Sequence, residues 1–174
     1  MKKEISVFDY AGHICKEMKK GILLTSKAGD TLNTMTIGWG HIGIEWGKPI
    51  FVAYVRESRH TKSMLERGGE FTVNVPCGAV EGNAIAFCGT KSGRDVDKIK
   101  ELGLTLEEPI SGSVPGIKEF PLTLECKVIY KQKQDLAAIP EELIKRYYPA
   151  DAAGFQDYHI AYYGEILNAY LITE

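Results

Sequence analysis

The stretch PLTLECKVIYK, residues 121–131, decides the expected fold class. Apolar side chains recur at every second position and polar ones fill the gaps: Leu122, Leu124, Cys126, Val128 and Tyr130 fall on one face, and Thr123, Glu125 and Lys127 on the other. A period of two is typical of a strand with one buried face. The stretch therefore predicts a half-buried β-strand.

Further strands and a few short helices are predicted around it. Strands are expected at residues 21–27, 33–38, 50–56, 70–75 and 158–172, with a turn at 28–30 and a bend at Gly164. Helices are expected at 61–67, ending at Gly68-Gly69, and at 80–87, 96–102 and 140–147. Antiparallel strands joined through short helices predict a mainly β, barrel-like fold of the Greek-key type, forming one domain over residues 1–174.

The amino-acid composition excludes some classes of protein function. The 174 residues are 44% hydrophobic and 25% charged with a net charge of −2, which is typical of a globular domain and does not favour a nucleic-acid partner. No segment approaches the length of apolar sequence that spans a membrane, and the start resembles no signal peptide, so we expect a soluble, cytoplasmic protein. The cysteines are widely spaced without zinc-site spacing, which favours free thiols and no metal: Cys15, Cys77, Cys88 and Cys126.

A first candidate binding segment is NTMTIGWGHIGIEWGKP, residues 33–49, which combines small polar side chains with two tryptophans. If the strand that begins at Asn33 has an unpaired edge, its backbone N–H and C=O groups can line a groove. Trp39 would then offer a flat apolar surface to a planar ligand. The alternative is an ordinary edge strand with tryptophans that fill the core.

A second candidate lies where strand 50–56 runs into helix 61–67. The helix entrance carries Arg56, Ser58, Arg59, His60 and Thr61. Free backbone N–H groups and a partial positive charge make a helix start an anion site, and arginine and hydroxyl side chains add donors to phosphate oxygens. The alternative is that Ser58 or Thr61 only caps the helix while the charges are solvated.

The loop GTKSGRDVDK, residues 89–98, is a third candidate. Lys91, Ser92 and Arg94 can contact an anion, although a polar turn with Asp95 as the helix N-cap explains the same residues. A flat-ring site beside a phosphate site describes a mononucleotide-like cofactor.

Four motifs in order, NTMTIGWG, YVRESRHT, EFTVNVP and TKSGRDVDK, resemble the flavin reductase-like proteins of the FMN-binding split barrel fold, which include flavoredoxins. The resemblance runs from about Gly21 to the C-terminus. It implies FMN as the cofactor and a homodimer with a flavin site near each subunit interface. Relatives often carry Gly-Asp-His where this chain has Asp157-Tyr158-His159, so the resemblance assigns no role to His159.

Particular residues acquire roles through this resemblance. The isoalloxazine ring is expected beside Asn33, Thr34, Met35, Thr36 and Trp39, and the phosphate beside Arg56, Ser58, Arg59, His60 and Thr61. Lys91, Ser92 and Gly93 are expected to approach the cofactor as well.

The function expected is that of an FMN-dependent oxidoreductase whose flavin is reduced by NADH, NADPH or another donor. No catalytic side chain is predicted, because flavin chemistry needs mainly position and electrostatics from the protein. A G-x-G-x-x-G motif between strand and helix is absent, so a nicotinamide would have to stack on the flavin itself. The alternatives are an electron carrier that serves a redox protein partner, and a ligand-binding barrel without redox use.

Overall fold

Antiparallel strands dominate the computed structural model, which describes residues 1–80 and 82–173. The strands are β1 (Lys2–Glu4), β2 (Ile22–Ala28), β3 (Thr31–Ile37), β4 (Gly40–Glu45), β5 (Lys48–Arg56), β6 (Glu70–Val75), β7 (Leu106–Glu107), β8 (Gly116–Ile117), β9 (Leu122–Lys133) and β10 (His159–Ile172). The α-helices are α1 (Ala11–Met18), α2 (His60–Gly68), α3 (Ala84–Thr90), α4 (Lys98–Leu102) and α5 (Glu141–Tyr147). The predicted mainly β class with short helices is confirmed.

The main sheet has the strand order β3-β2-β6-β9-β10-β5-β4, and β1 pairs with β10 outside this path. β3 and β4 stand at the opposite ends of the order, yet only Gly38 and Trp39 connect them along the chain. The two end strands must therefore approach each other, and the sheet curls into a barrel that stays open between them. This opening leaves one edge of β3 without a partner strand among the described residues.

Tight turns set the register of the two outer hairpins. Gly29 and Asp30 connect β2 to β3, as the sequence predicts, and Gly29 has a positive φ of 60°. Trp46 and Gly47 connect β4 to β5 with φ values of 52° and 69°. Positive φ at both central residues is the type I′ geometry that matches the twist of a hairpin. Trp46 is thereby held on the outer surface of the barrel, 58% exposed.

The barrel interior is filled by large apolar side chains from both halves of the sheet, including Phe51, Phe71 and Tyr162. Gly164 lies where β10 presses on this core. A Cβ atom there would come within 2.5 Å of the Phe71 ring, so glycine is required for the packing of β10. The register of β10 against β9 also shifts beside Gly164, which agrees with the predicted bend.

Some sequence expectations are wrong in detail. Tyr130 does not share the buried face of β9, because a register shift leaves Ile129 unpaired and turns Tyr130 outward beside Tyr163. The N-cap of α4 is Asp97, whose carboxylate accepts from the Lys100 N–H at 3.1 Å, and not Asp95. The helix expected at 80–87 begins at Ala84, while Glu81 lies outside the described residues.

No helix among the described residues is long and apolar enough to cross a membrane.

Candidate functional site

The three candidate segments of the sequence meet along β3, where they enclose two adjoining cavities. We call the first the cationic cavity; its volume is about 130 Å³, and it is lined by Asn33, Met35, Ser58, Arg59, His60, Thr61, Lys91, Ser92, Gly93, Arg94 and Lys98. We call the second the aromatic cavity; its volume is about 180 Å³, and it is lined by Met35, Thr36, Ile37, Gly38, Trp39, Tyr54, Arg56, Arg59 and His159. Met35 and Arg59 belong to both linings, so the two spaces lie side by side.

The cationic cavity is suited to an anion by its charge. Its lining includes Arg59, Lys91, Arg94 and Lys98, and none of the described lining residues is acidic. Burial and the neighbouring positive charges, that of Arg94 first, lower the pKa of His60, so the ring is held in its neutral form. A small space surrounded by cations and hydroxyl groups matches the needs of a phosphate group.

The start of α2 adds backbone donors to this wall. Arg59 is the N-cap residue of α2, in extended conformation, and its side chain makes no cap bond to the helix N–H groups. The first turn of α2 contains no acidic residue. The N–H groups at His60 and Thr61 therefore keep the partial positive charge of a helix start.

Asn33 and Gly93 fix the distance between β3 and the loop that follows α3. The Asn33 Nδ2 atom donates to Thr61 Oγ1 at 2.9 Å, which ties β3 to α2 in a buried position. A Cβ atom on Gly93 would lie 2.0 Å from Asn33 Oδ1 and 3.2 Å from the His60 ring. Only glycine allows the loop to approach this closely, and the approach is what closes the cavity.

The aromatic cavity has a ring-lined wall. Trp39 is 41% exposed and packs edge-on against Tyr147, with ring centroids 5.1 Å apart. On its other side it meets His159 at 4.8 Å. Trp39 is therefore neither a core residue nor a free surface ring, and its position suits contact with a planar ligand.

Next to the aromatic cavity, and sharing Gly38, Trp39 and Tyr54 with it, lies a larger space that we call the Trp39 groove. It measures about 590 Å³ and is lined by Cys15, Met18, Lys19, Gly38, Trp39, Gly40, His41, Tyr54 and Gln134. A planar ligand in the aromatic cavity would therefore lie beside this groove.

The free edge of β3 supplies main-chain groups to the same region. The Thr34 carbonyl accepts from Lys98 Nζ at 2.9 Å and therefore points away from β2. Because backbone direction alternates along a strand, Thr36 presents its N–H and C=O groups to the same free edge. The Thr34 side chain points elsewhere, since its hydroxyl meets Thr25 Oγ1 at 3.2 Å in the buried sheet.

Of the residues proposed from the sequence, all but Thr34 line one of the two cavities. Arg56 and Ser58 do so while already bonded to other parts of the protein. The Arg56 guanidinium donates to the carbonyls of Asp157 and Tyr147 at 2.6 and 3.1 Å. The Ser58 hydroxyl donates to the Asp157 carboxylate at 2.7 Å. Both residues thus hold the cavity wall in place.

Sequence reasoning passed over Lys98 and left His159 unassigned. Lys98 is 4% exposed and opens α4, where the helix dipole disfavours a positive charge. A lysine at the start of a helix is unfavourable, and this placement could have identified Lys98 as a candidate site residue. His159 is 7% exposed, and its Nδ1 atom lies 2.8 Å from the Tyr148 hydroxyl. Burial first, then the charge of Arg56, lowers the pKa of His159 to about 4, so a neutral ring faces the aromatic cavity.

Together, the two adjoining cavities offer matching surroundings for a planar aromatic compound that carries a phosphate group. A comparison of the sequence with known protein families gives a match over most of the chain. The family described as flavin reductase-like domain matches residues 18–174. The chain belongs to the flavin reductase-like family.

Individual relatives support the same fold. An uncharacterised protein of Archaeoglobus fulgidus is 34% identical over 97 residues, which cover 56% of this chain and 54% of that protein. The chain therefore spans about half the length of that relative. Flavoredoxin of Desulfovibrio vulgaris has a similar structure, with a TM-score of 0.66 and 22% identity, covering 87% of this chain and 69% of that one.

An NADH:FAD oxidoreductase of Streptomyces globisporus, solved with NAD and FAD fragments, is similar with a TM-score of 0.63. It is 16% identical, and the match covers 87% of this chain and 74% of that one. These neighbours identify the curled antiparallel sheet of the flavin reductase-like family as a split barrel, which confirms the fold expected from the sequence.

Proposed function

We propose that the chain binds FMN, with the phosphate in the cationic cavity and the isoalloxazine ring in the aromatic cavity. The observation that carries this proposal is the adjacency of the two cavities, which share Met35 and Arg59 in their walls. One cavity has cations, hydroxyl groups and no acidic lining residue in the described chain, and the other has an exposed tryptophan wall. A phosphorylated planar ring matches both halves at once.

The residues divide into three groups under this proposal. Asn33, Met35, Thr36 and Trp39 lie along the ring and the sugar chain, with the backbone of Thr34 and Thr36 at the open edge of β3. The phosphate is contacted by the residues of the cationic cavity that were expected from the sequence: Arg59, His60, Thr61, Lys91, Ser92 and Gly93. Arg56 and Ser58, bonded to the segment at Tyr147 and Asp157, position this wall.

We further propose that the protein is an FMN-dependent oxidoreductase that receives electrons from NADH, NADPH or another donor. When bound, FMN supplies the hydride and electron chemistry itself. The chain binds and orients the ring, and one side of the aromatic cavity lies beside the Trp39 groove. No acid–base side chain is assigned to the reaction.

A second candidate is an FMN electron carrier that exchanges electrons with a redox protein and has no nicotinamide turnover of its own. The structural likeness to a flavoredoxin favours it. The 41% exposure of Trp39 also agrees with a ring that a protein partner can approach.

One experiment separates these functions. The purified protein is titrated with FMN, FAD and riboflavin, and the loaded protein is then assayed for steady-state oxidation of NADH and NADPH. Tight FMN binding with turnover supports the oxidoreductase, and tight binding with negligible turnover supports the carrier. A protein that remains colourless after incubation with FMN would refute both.

We propose a homodimer as well, formed through the outer face of β4, β5, β9 and β10. Among the aromatic residues of the C-terminal region, Tyr148, Tyr162 and Tyr170 are buried within the subunit. Tyr130 and Trp46 remain exposed on that outer face, 42% and 58% respectively. Aromatic side chains of this kind are enriched at interfaces.

A cytoplasmic location is part of the same proposal. The cysteines are free thiols in the structure: Cys15 and Cys77 are exposed, and Cys88 and Cys126 are buried. Exposed free thiols are typical of a reducing compartment.

A further inference from the structure

Lys98 holds a positive charge in an unusual environment. Its side chain is buried, with 4% of its surface exposed, between β3 and the end of α3. Its Nζ atom donates to the Thr34 carbonyl at 2.9 Å and to the Cys88 carbonyl at 3.1 Å. An ammonium group has three N–H donors. In the part of the chain that the structure describes, the third donor has no protein acceptor.

The charge also lacks a counter-ion. No carboxylate of residues 1–80 or 82–173 lies within 4.0 Å of Lys98 Nζ. The positive charge of Arg59 opposes it as well. Burial first, then Arg59, lowers the pKa of Lys98 below its ordinary value, which shows that the surroundings disfavour the charge. A buried cation without a partner is costly, and an anion that enters its site offsets that cost.

Lys98 borders two cavities, and one of them suits an anion better, because the other is also lined by Asp30, Asp95 and Asp97. Lys98 lines the cationic cavity together with Arg59 and Arg94. The two carbonyls hold its ammonium at the inner end of this space, whereas Lys91 and Arg94 are exposed side chains at the mouth. Since the mouth residues are solvated, they contribute less to binding than a buried, desolvated cation.

We propose that Lys98 is the buried anion-binding group of this site, and that its third N–H donates to a phosphate oxygen of the ligand. This inference rests on the proposed flavin-binding function and extends it to a residue that completes its hydrogen bonding only when the ligand is bound. The competing explanation is a structural one, in which Lys98 only clips β3 to α3 through the two carbonyls.

Binding of FMN and riboflavin separates these explanations, because riboflavin carries the same ring without the phosphate. Lys98→Met keeps the length of the side chain and removes its charge and donors. We expect FMN affinity to fall at least tenfold and riboflavin affinity to change by less than twofold. Lys98→Arg, which restores a charge, should recover part of the preference for FMN. Equal losses of FMN and riboflavin in Lys98→Met would overturn the proposal in favour of the structural clip.

Lys100→Met is the matched control, because Lys100 is an exposed residue of the same helix and does not line the cationic cavity. It should leave FMN affinity within twofold of the wild type, and a loss as large as that of Lys98→Met would also count against the proposal. If Lys98→Met does not fold, Lys98→Gln keeps donors for the carbonyls without the charge, and the same FMN and riboflavin comparison decides.

Inorganic phosphate tests Lys98 without any flavin. Millimolar phosphate at constant ionic strength should raise the unfolding temperature of the wild type and of Lys100→Met, but not that of Lys98→Met. If the wild type binds neither flavin yet shows this phosphate effect, the flavin proposal fails while Lys98 stands as an anion-binding group. If phosphate protects the wild type and Lys98→Met equally, the assignment of Lys98 is wrong.

Discussion

The Asn33 side-chain amide donates to the Thr61 hydroxyl across 2.9 Å, and both side chains are nearly inaccessible, with exposures of 5% and 1%. This bond joins β3 to the first turn of α2, so it connects the strand expected beside the ring to the helix expected beside the phosphate. The Thr61 hydroxyl can accept from Asn33 and still donate its own proton into the cationic cavity. This one hydrogen bond therefore affects both the position of β3 against α2 and the orientation of the Thr61 hydroxyl as a donor.

Thr61→Val should show this coupling. Valine matches threonine in shape but leaves the buried Asn33 amide without its acceptor, which costs about 1–3 kcal/mol. We expect the free energy of unfolding in urea to fall by that amount and FMN affinity to fall with it. Thr90→Val, which removes an exposed hydroxyl bonded within its own helix at 2.8 Å, is the control. Equal effects of the two substitutions would show that the Asn33–Thr61 bond has no special role.

Trp39 is expected to quench the fluorescence of bound flavin, because an electron-rich indole at the wall of the aromatic cavity lies close to the ring. Trp39→Leu keeps an apolar side chain and should make bound FMN brighter. Trp46→Leu is a matched control, since Trp46 packs against Tyr130 at 6.1 Å on the outer face. An unchanged emission in Trp39→Leu, measured with FMN fully bound, would place the ring elsewhere.

The sequence predicted the paired strands well where local signals were strong. β6 was placed at its observed bounds, and β2 and β3 were joined at the observed Gly29-Asp30 turn. The sequence did not predict β4, because its two glycines, Gly40 and Gly43, are more typical of a loop than of a strand. α1 was missed because only Ile14 and Met18 of its residues are buried, which leaves a weak helical pattern.

The site was predictable only in part, for a physical reason. Asn33, Thr61 and Gly93 are far apart in sequence, and their meeting depends on tertiary packing that local patterns do not encode. The ordered family motifs supplied that information. They did not reveal Lys98, because a lysine in a polar loop sequence looks solvated until the fold buries it against Thr34 and Cys88.

The proposed homodimer predicts a specific sensitivity on the outer face. Tyr130 is 42% exposed on this face, and its ring centroid lies 5.0 Å from that of Tyr163 and 6.1 Å from that of Trp46. Exposed aromatic side chains of this kind are enriched at interfaces. Light scattering at micromolar concentration should report a dimer for the FMN-loaded wild type and a monomer for Tyr130→Lys. Leu143→Lys, on α5, should remain dimeric; a monomeric wild type would refute the dimer.

Arg59 and Arg56 should differ in their effects on ligand binding. Arg59 has a side chain without a protein hydrogen-bond partner among the described residues, and it lines both cavities. Because a charge-assisted bond contributes about 1.5–3 kcal/mol, Arg59→Ala should lower FMN affinity about tenfold to a hundredfold and leave riboflavin affinity nearly unchanged.

Arg56→Ala should instead reduce the free energy of unfolding and lower the affinity for both ligands, since it removes the bonds to Asp157 and Tyr147. Calorimetric titration of each variant with FMN and with riboflavin measures the affinities, and urea unfolding measures the free energy of unfolding. Equal loss of FMN and riboflavin in Arg59→Ala would move the phosphate contact to the 91–94 loop.

His159 makes the stability of the fold depend on pH. Burial and Arg56 lower its pKa to about 4 in the folded protein, while the unfolded chain has the ordinary value of about 6.5. The unfolded state therefore takes up a proton at a higher pH than the folded state. The stabilisation is complete above pH of about 6.5 and is lost as the pH falls from there through about 4.

At pH of about 5 the loss should amount to about 2 kcal/mol, since each unit of pKa difference is worth about 1.4 kcal/mol. Urea unfolding of the wild type at pH 7 and at pH of about 5, compared with His159→Gln, measures it. Glutamine does not titrate, so the variant should lose less stability over the same interval, whatever the other groups contribute to both proteins. His60, whose pKa burial also lowers, acts in the same direction and cancels in this comparison. Identical pH dependence in the two proteins would mean that the pKa of His159 is the same in the folded and the unfolded chain, and that the ring is protonated in the fold at pH of about 5.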